Sequence, residues 1–239
     1  MTSPSERPGT IFPGLRSRWW VVAGALVFVG TVAAGFVEKS LGPSNPELGI
    51  DITLSRGRNR ALVAVSEAIH YGFGPVGATI LVFIVCGYLW FRDRPVQSLA
   101  FGSVVTVGWL ASALGKILVG RPRPPVDAAR SLVAETGKNS FPSGHTAFAA
   151  SLVLAITLVL AHSTAQRLAA LVAGTLFVAV VAFSRMYLGV HYLSDVIGSV
   201  LISSAAILAW LSVWNHVIAP WLSASPWIHG LEARASERR

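Results

Sequence analysis

Three short segments hold residue types and spacings that could do chemistry. The first is "SRMYLGVHYLSDV", residues 184–196, which sets Arg185, His191 and Asp195 between the apolar runs "LAALVAGTLFVAVVAF" and "IGSVLISSAAILAWLSVW". His191 and Asp195 are four apart, so on a helix they share one face. A carboxylate bonded to one ring nitrogen fixes the tautomer and leaves the other nitrogen as a nucleophile or base. The second segment, "KILVGRPRP", places Lys116 seven residues before Arg123. The third, "FPSGH", ends in Ser143, Gly144 and His145. Lys116, Arg123 and Arg185 form a set of fixed cations suited to a multiply charged oxyanion, and an arginine fork matches phosphate geometry. "PSGH" at a helix start adds the Ser143 hydroxyl and free backbone N–H groups, and Gly144 lets the backbone come close. Together these read as a phosphate cradle. His145, on a different segment from His191, is free to protonate a leaving alkoxide. No metal or other cofactor is needed for this division of labour, and no carboxylate cluster of the kind that holds Mg²⁺ stands in these segments.

Taken singly, each signal is weak. A histidine four before an aspartate is more often a surface pair than half of a catalytic dyad. An arginine at the end of an apolar run is usually a headgroup anchor. The reading depends on all three segments meeting, and so on the elements between them.

Of 239 residues, 53% are hydrophobic and 13% charged, and the mean hydropathy is +0.61. The apolar residues come in long uncharged runs, which points to the bilayer as solvent. The formal charge is +8, with cations at the ends of apolar runs rather than on one soluble face. That placement suits anionic headgroups and argues against a nucleic-acid partner. Cys86 is the sole cysteine, so no intrachain disulfide exists. The fold class predicted is all-α, an integral-membrane bundle of six transmembrane helices. The runs are Trp19–Val37, Pro75–Phe91, Val96–Val119, Thr146–Ala161, Ala165–Phe183 and Val196–Trp214, each long or nearly long enough to cross a bilayer. The fourth is short, and its start is expected near Ser143. A six-helix membrane domain over residues 19–214 is then flanked by cytoplasmic tails, residues 1–18 and 215–239. The first run follows arginines as a signal peptide would, but is long for one and reads as an uncleaved span. Within the polar loop 38–74, "SRGRNRALVAVSEAIHYGF" fits either a helix lying in the membrane interface or a loop helix packed on the bundle. Cations in the short loops favour both termini on the cytoplasmic side. With six spans, the loops joining spans three to four and five to six emerge on one side. Lys116, Arg123, Ser143, Gly144, His145, Arg185, His191 and Asp195 then converge at the outer membrane face. The remaining histidines, His70, His162, His216 and His229, are read as structural. Trp19, Trp20, Trp90, Trp214, Trp221 and Trp227 are read as interfacial anchors.

The three segments resemble the signature of the type 2 phosphatidic acid phosphatase (PAP2) superfamily. "KILVGRPRP" fits K-x6-R-P and so selects Arg123-Pro124 over Arg121-Pro122. "PSGH" fits the second motif, and "SRMYLGVHYLSD" fits S-R-x5-H-x3-D, with every specified position present. Leu193 stands where many members have proline after "HY". The vanadium haloperoxidases share these motifs but are soluble and larger, and the spans argue against them. The resemblance implies metal-independent phosphoryl transfer through a phosphohistidine. His191 would attack phosphorus, Asp195 would orient it, and His145 would protonate the leaving group and later activate water. Lys116, Arg123, Ser143, the Gly144 N–H and Arg185 would hold the phosphate oxygens. It also implies a lipid phosphate or diphosphate as substrate, reached from the bilayer: polyprenyl diphosphate, phosphatidic acid or phosphatidylglycerol phosphate. Two alternatives stand beside hydrolysis: a lipid phosphotransferase using the same site, and a non-catalytic anion-binding transporter or scaffold.

Overall fold

In the computed structural model, residue 12 and residues 17–135 and 137–226 are described. Most of the predicted N-terminal tail and the C-terminal stretch from 227, with Trp227 and His229, lie outside them. All regular structure among the described residues is helical apart from one isolated bridge, Pro122 with Asn139. The helices are α1 (Trp19–Ser40), α2 (Leu48–Arg56), α3 (Arg60–Gly72), α4 (Pro75–Phe91), α5 (Pro95–Val119), α6 (Val126–Ala129), α7 (Gly144–Ala155), α8 (Thr164–Tyr187), α9 (Leu193–Val213) and α10 (Ala219–Ala224).

Each of the six apolar runs lies largely or wholly in helix. Among the described residues, four helices are long and apolar enough to cross a membrane: α1, α5, α8 and the continuous Leu193–Ala224. A fifth crossing follows if α3 and α4, bent by 64° at their junction, count as one span. The bend has a local cause. Pro75 opens α4, and a proline disfavours helical backbone in the residue before it; Gly74 is extended there, with ψ 173°. The predicted fourth span, Thr146–Ala161, corresponds to the helical segment Gly144–Leu160, which ends in a π-helical turn and has 17 residues, about 26 Å of helix against a hydrocarbon core of about 30 Å.

That short segment is the centre of the molecule. His145 through Leu152 are all buried, ringed by α5, α8 and α9. Small residues make the fit possible: Ala147, Ala149, Ala150 and Ser151 let neighbouring backbones approach. By contrast, α8 exposes Leu168, Val172, Leu176 and Val180, a surface that lipid tails solvate and water would not. The last helix differs from expectation in length. Instead of ending at Trp214 it passes through a π-helical turn, Trp214–Ile218, into α10. Trp214 is therefore only 2% exposed and packs in the core, edge-on to Phe12 and Trp210, rather than standing as an interfacial anchor.

The segment between α5 and α7 folds back on itself. Gly120, in the left-handed conformation at φ 61°, caps α5 and receives Lys39 across the chain, whose Nζ donates to the Val119 carbonyl at 2.8 Å. Ser140 N donates to the Arg121 carbonyl at 2.7 Å, so the "RPR" stretch lies beside residues 139–140. Phe141 then wedges between α1 and α9. A Cβ on Gly35 would sit 2.6 Å from its ring, and one on Gly198 2.5 Å; only glycine at both positions admits the phenyl group. The wedge fixes where "PSGH" begins.

Candidate active site

His191 follows the C-terminus of α8 and precedes the first turn of α9. Asp195, in that first turn, is fully buried. Its Oδ2 lies 3.3 Å from His191 Nδ1 and accepts from Tyr192 N at 2.9 Å. On the other side of the ring, Arg123 Nη1 is 3.1 Å from His191 Nε2 and also donates to the Val190 carbonyl at 2.9 Å. A guanidinium can only donate and a carboxylate can only accept. The ring between them must carry its proton on Nδ1 and a lone pair on Nε2. Burial, then the nearby cations Arg123, Lys116 and Arg185, hold the His191 pKa well below its ordinary 6.5, so the imidazole is neutral.

His145 enters on the second residue of α7. Its Nε2 is 2.9 Å from the His70 carbonyl oxygen, and its ring stacks on that of His70, centroids 5.3 Å apart. A carbonyl only accepts, so Nε2 donates, and Nδ1 is left to gain and lose a proton. Arg185, fully buried near the end of α8, is bonded to Glu135 and has Nη1 3.2 Å from His70 Nδ1. Glu135 also takes Arg123 Nη2 at 3.3 Å. Burial pushes the Glu135 carboxyl up, but Arg185 and Arg123 outweigh it and hold its pKa below the ordinary carboxylate value. Arg185 Nε is buried without a hydrogen-bond partner among the described residues. Lys116 Nζ donates to the carbonyls of Asn139 and Ser140 at 3.0 and 3.2 Å.

Five of the predicted residues, Lys116, Arg123, Gly144, His145 and His191, line one cavity of about 360 Å³. Ser143, Arg185 and Asp195 do not line it. They lie buried near it, with Ser143 N donating to the Asp195 carbonyl at 3.2 Å and Arg185 joined to the cavity wall through Glu135. The rest of the wall includes Phe73, Pro75, Trp109, Leu110 and Ala113, so an end lined by Lys116 and Arg123 meets an apolar one. Among the described residues no group of three His, Cys, Asp or Glu is placed to hold a metal ion.

Four participants escape the motif pattern. His70, read as structural, contributes a carbonyl and a ring to the His145 side. Glu135 joins two arginines. Arg121, passed over in favour of Arg123, donates to Asp195 Oδ1 at 2.8 Å, and Glu47 accepts from Arg121 at 3.0 Å. Of these, Arg121 stands in the quoted "KILVGRPRP", and Glu135 is one of two acids between Arg123 and His145. The other two histidines within the described residues do not line the cavity. His162 is exposed, and His216 Nδ1 lies 2.8 Å from the Ser212 carbonyl.

The chain as a whole resembles known proteins. The chain matches a solved structure described as the first transmembrane PAP2 type phosphatidylglycerolphosphate phosphatase from Bacillus subtilis, with a TM-score of 0.62 and 22% identity over 81% of this chain and 94% of that one. This shows the fold, and the four long apolar helices among the described residues accord with it. No curated protein sequence matches it. The profile of the PAP2 superfamily covers residues 68–218, which takes in the cavity's motif residues and the His70 elbow alike, and on that match the chain belongs to the PAP2 superfamily.

Proposed function

We propose that this protein is a membrane lipid phosphatase that hydrolyses a lipid phosphate or diphosphate through a phosphohistidine intermediate without metal. The observation that carries the reading is the state of His191: neutral, with Nδ1 bonded to Asp195 and the Nε2 lone pair directed at Arg123 in the cavity wall. Phosphate entering the cavity replaces Nε2 as the partner of Arg123. Nε2 then attacks phosphorus, the P–O bond to the lipid breaks, and His145 gives its proton to the departing oxygen. The Nδ1 proton stays on His191, facing Asp195. Neutral His145 next takes a proton from water, whose oxygen attacks phosphorus and releases phosphate, restoring both rings. Lys116, Arg123, Ser143, the Gly144 N–H and Arg185 stabilise the charge that builds on the phosphoryl oxygens.

The apolar wall formed by Phe73, Pro75, Trp109 and Leu110 supports a substrate whose tail remains in the bilayer. Polyprenyl diphosphate, phosphatidic acid and phosphatidylglycerol phosphate all fit that description, the last being the substrate named for the solved relative. In the membrane arrangement proposed, α7 with its π turn completes six crossings over residues 19–214. The site faces outward and both termini are cytoplasmic. The test is a panel of these lipids with purified protein in detergent and excess chelator. Phosphate release is expected, and vanadate, a mimic of pentacoordinate phosphorus, should inhibit it. Strict dependence on added Mg²⁺, or no release from any lipid phosphate, would reject the reading.

A further inference from the structure

Asp195 is fully buried, so its charge is out of reach of bulk solvent. Its two oxygens are held unequally. Oδ2 serves His191 at 3.3 Å and Tyr192 N at 2.9 Å, while Oδ1 receives Arg121 Nη1 at 2.8 Å. Arg121 is thus the fixed cation bonded directly to the carboxylate. It is 1% exposed, and both its terminal nitrogens are taken by Asp195, Ser194, Glu47 and Glu38, so it is not one of the groups that would touch phosphate.

Every other contact of Arg121 holds it in that place. Nη1 also donates to Ser194 Oγ at 2.5 Å, and Nη2 to Glu47 at 3.0 Å and Glu38 at 3.4 Å. Its guanidinium lies 4.2 Å over the centre of the Tyr192 ring. Glu47, just ahead of α2, grips the start of α9 as well, accepting from Ser194 N at 2.8 Å and Ser194 Oγ at 2.6 Å. A continuous path therefore runs from Glu47 at the rim, through Arg121 and Asp195, to the imidazole.

We propose that Arg121, braced by Glu47, is a positioning residue that acts on His191 solely through Asp195. The inference rests on the phosphohistidine reading. As the Nε2–phosphorus bond forms, the ring becomes cationic with its proton still on Nδ1, and an ionised, aligned Asp195 stabilises that charge. A carboxylate shared with a guanidinium is a weaker base, so it steers the ring without taking its proton. Without the guanidinium, a carboxylate in a dry site favours its neutral form and loses its alignment.

The experiment is a double-mutant cycle on lipid phosphate hydrolysis. R121Q is expected to lower kcat about 10- to 100-fold, by analogy with the loss of a partner that orients a metal-bound histidine, while KM and the vanadate inhibition constant stay within about 3-fold because the phosphate contacts are intact. D195N is expected to lower kcat by roughly 10³-fold or more. Adding R121Q to D195N should then cost less than about 3-fold more, because the path is already cut. R121K should recover part of the loss, keeping the charge but not the fork. If R121Q does not bind vanadate, and so is misfolded, E47Q decides: an expected loss of about 3- to 10-fold, likewise absorbed by D195N. Losses that multiply in the double variant, or an R121Q rate within about 3-fold of wild type, would overturn the proposal. His191→Ala separates the two readings. If it leaves release intact, the phosphohistidine reading fails and this proposal falls with it. If it abolishes release while the cycle is additive, this proposal alone fails.

Discussion

The two histidines of the cavity are held in different ways. His191 is fixed by charge. A carboxylate takes one nitrogen and an arginine faces the other, and the carboxylate is in turn held by Arg121, which Glu47 and Glu38 brace. His145 is fixed on Nε2 by a neutral backbone carbonyl from the α3–α4 elbow, with the His70 ring stacked against it. The contrast matches the proposed tasks. A nucleophile needs one tautomer with a lone pair in one direction, and flanking charges enforce that. A residue that must be acid in one step and base in the next needs orientation without commitment to either protonation state. A carbonyl supplies this, since it accepts from Nε2–H whether or not Nδ1 is protonated.

Removing each ring should expose the difference most sharply. His191→Ala is expected to abolish turnover for every substrate, because no covalent intermediate can form; residual activity near wild type would reject the nucleophile assignment. His145→Ala should instead depend on the leaving group. Alkyl and lipid phosphates should lose about 10²- to 10⁴-fold, the usual range for a lost general acid, while formation of the intermediate from an aryl phosphate should lose far less. Equal losses on both substrates in a single-turnover measurement would mean that His145 is not the acid.

Much of the site was legible because the motif residues are specified by type and spacing. Lys116, Arg123, Gly144, His145 and His191 meet at one cavity as the order of segments implied. What escaped did so for physical reasons. A backbone carbonyl such as that of His70 carries no residue-type signal, and nothing local in "HYGFGP" says that the elbow reaches α7. Arg121 and Arg123 are chemically identical in sequence. Only the turn after Gly120, which sends one side chain toward Asp195 and the other toward the cavity, separates their roles. The helix count is a related case. Hydropathy finds the apolar runs, but whether 17 residues cross a bilayer depends on the protein packed around them. Trp214 is buried rather than interfacial because a π-helical turn continues the last helix beyond it.

Two substitutions of intermediate effect probe the His145 side. Glu135 bonds to both Arg123 and Arg185, the guanidinium groups proposed to hold phosphate, so its charge opposes an incoming anion. E135Q is expected to lower the vanadate inhibition constant by about 3- to 10-fold, as removal of a like charge from a buried site would. Weaker inhibition would show instead that Glu135 is needed to aim the arginines. G74A should have a smaller and more selective effect. A Cβ there would lie 2.9 Å from the His70 carbonyl oxygen and 3.8 Å from His145 Nε2, displacing the acceptor that orients His145. Lipid phosphate turnover should fall by roughly 10-fold with the aryl phosphate rate nearly unchanged. A uniform loss would point to general disruption of the elbow.

The smallest effect is expected behind the His191 side, at Asp51 in α2. This carboxyl is wholly buried, and neither oxygen has a hydrogen-bond partner among the described residues. Burial, then the like charges of Asp195 and Glu47, raise its pKa from 3.8 to about 7, against the opposing pull of Arg121 and Arg58. Between those two values the folded chain holds a proton that the unfolded chain releases, so this group favours the fold at low pH and loses that contribution as pH rises toward 7. Above it, an ionised carboxylate is kept beside two others. D51N removes the ionisation while keeping the shape. The variant's Tm in detergent should match wild type most closely near pH 4, with the gap widening as pH rises, and exceed it by roughly 3 °C at pH 8, with kcat little changed. A D51N protein that is less stable at pH 8 would show that the Asp51 charge is part of the scaffold behind Arg121, and the acidic bracing of the nucleophile side would then extend one residue deeper than Glu47.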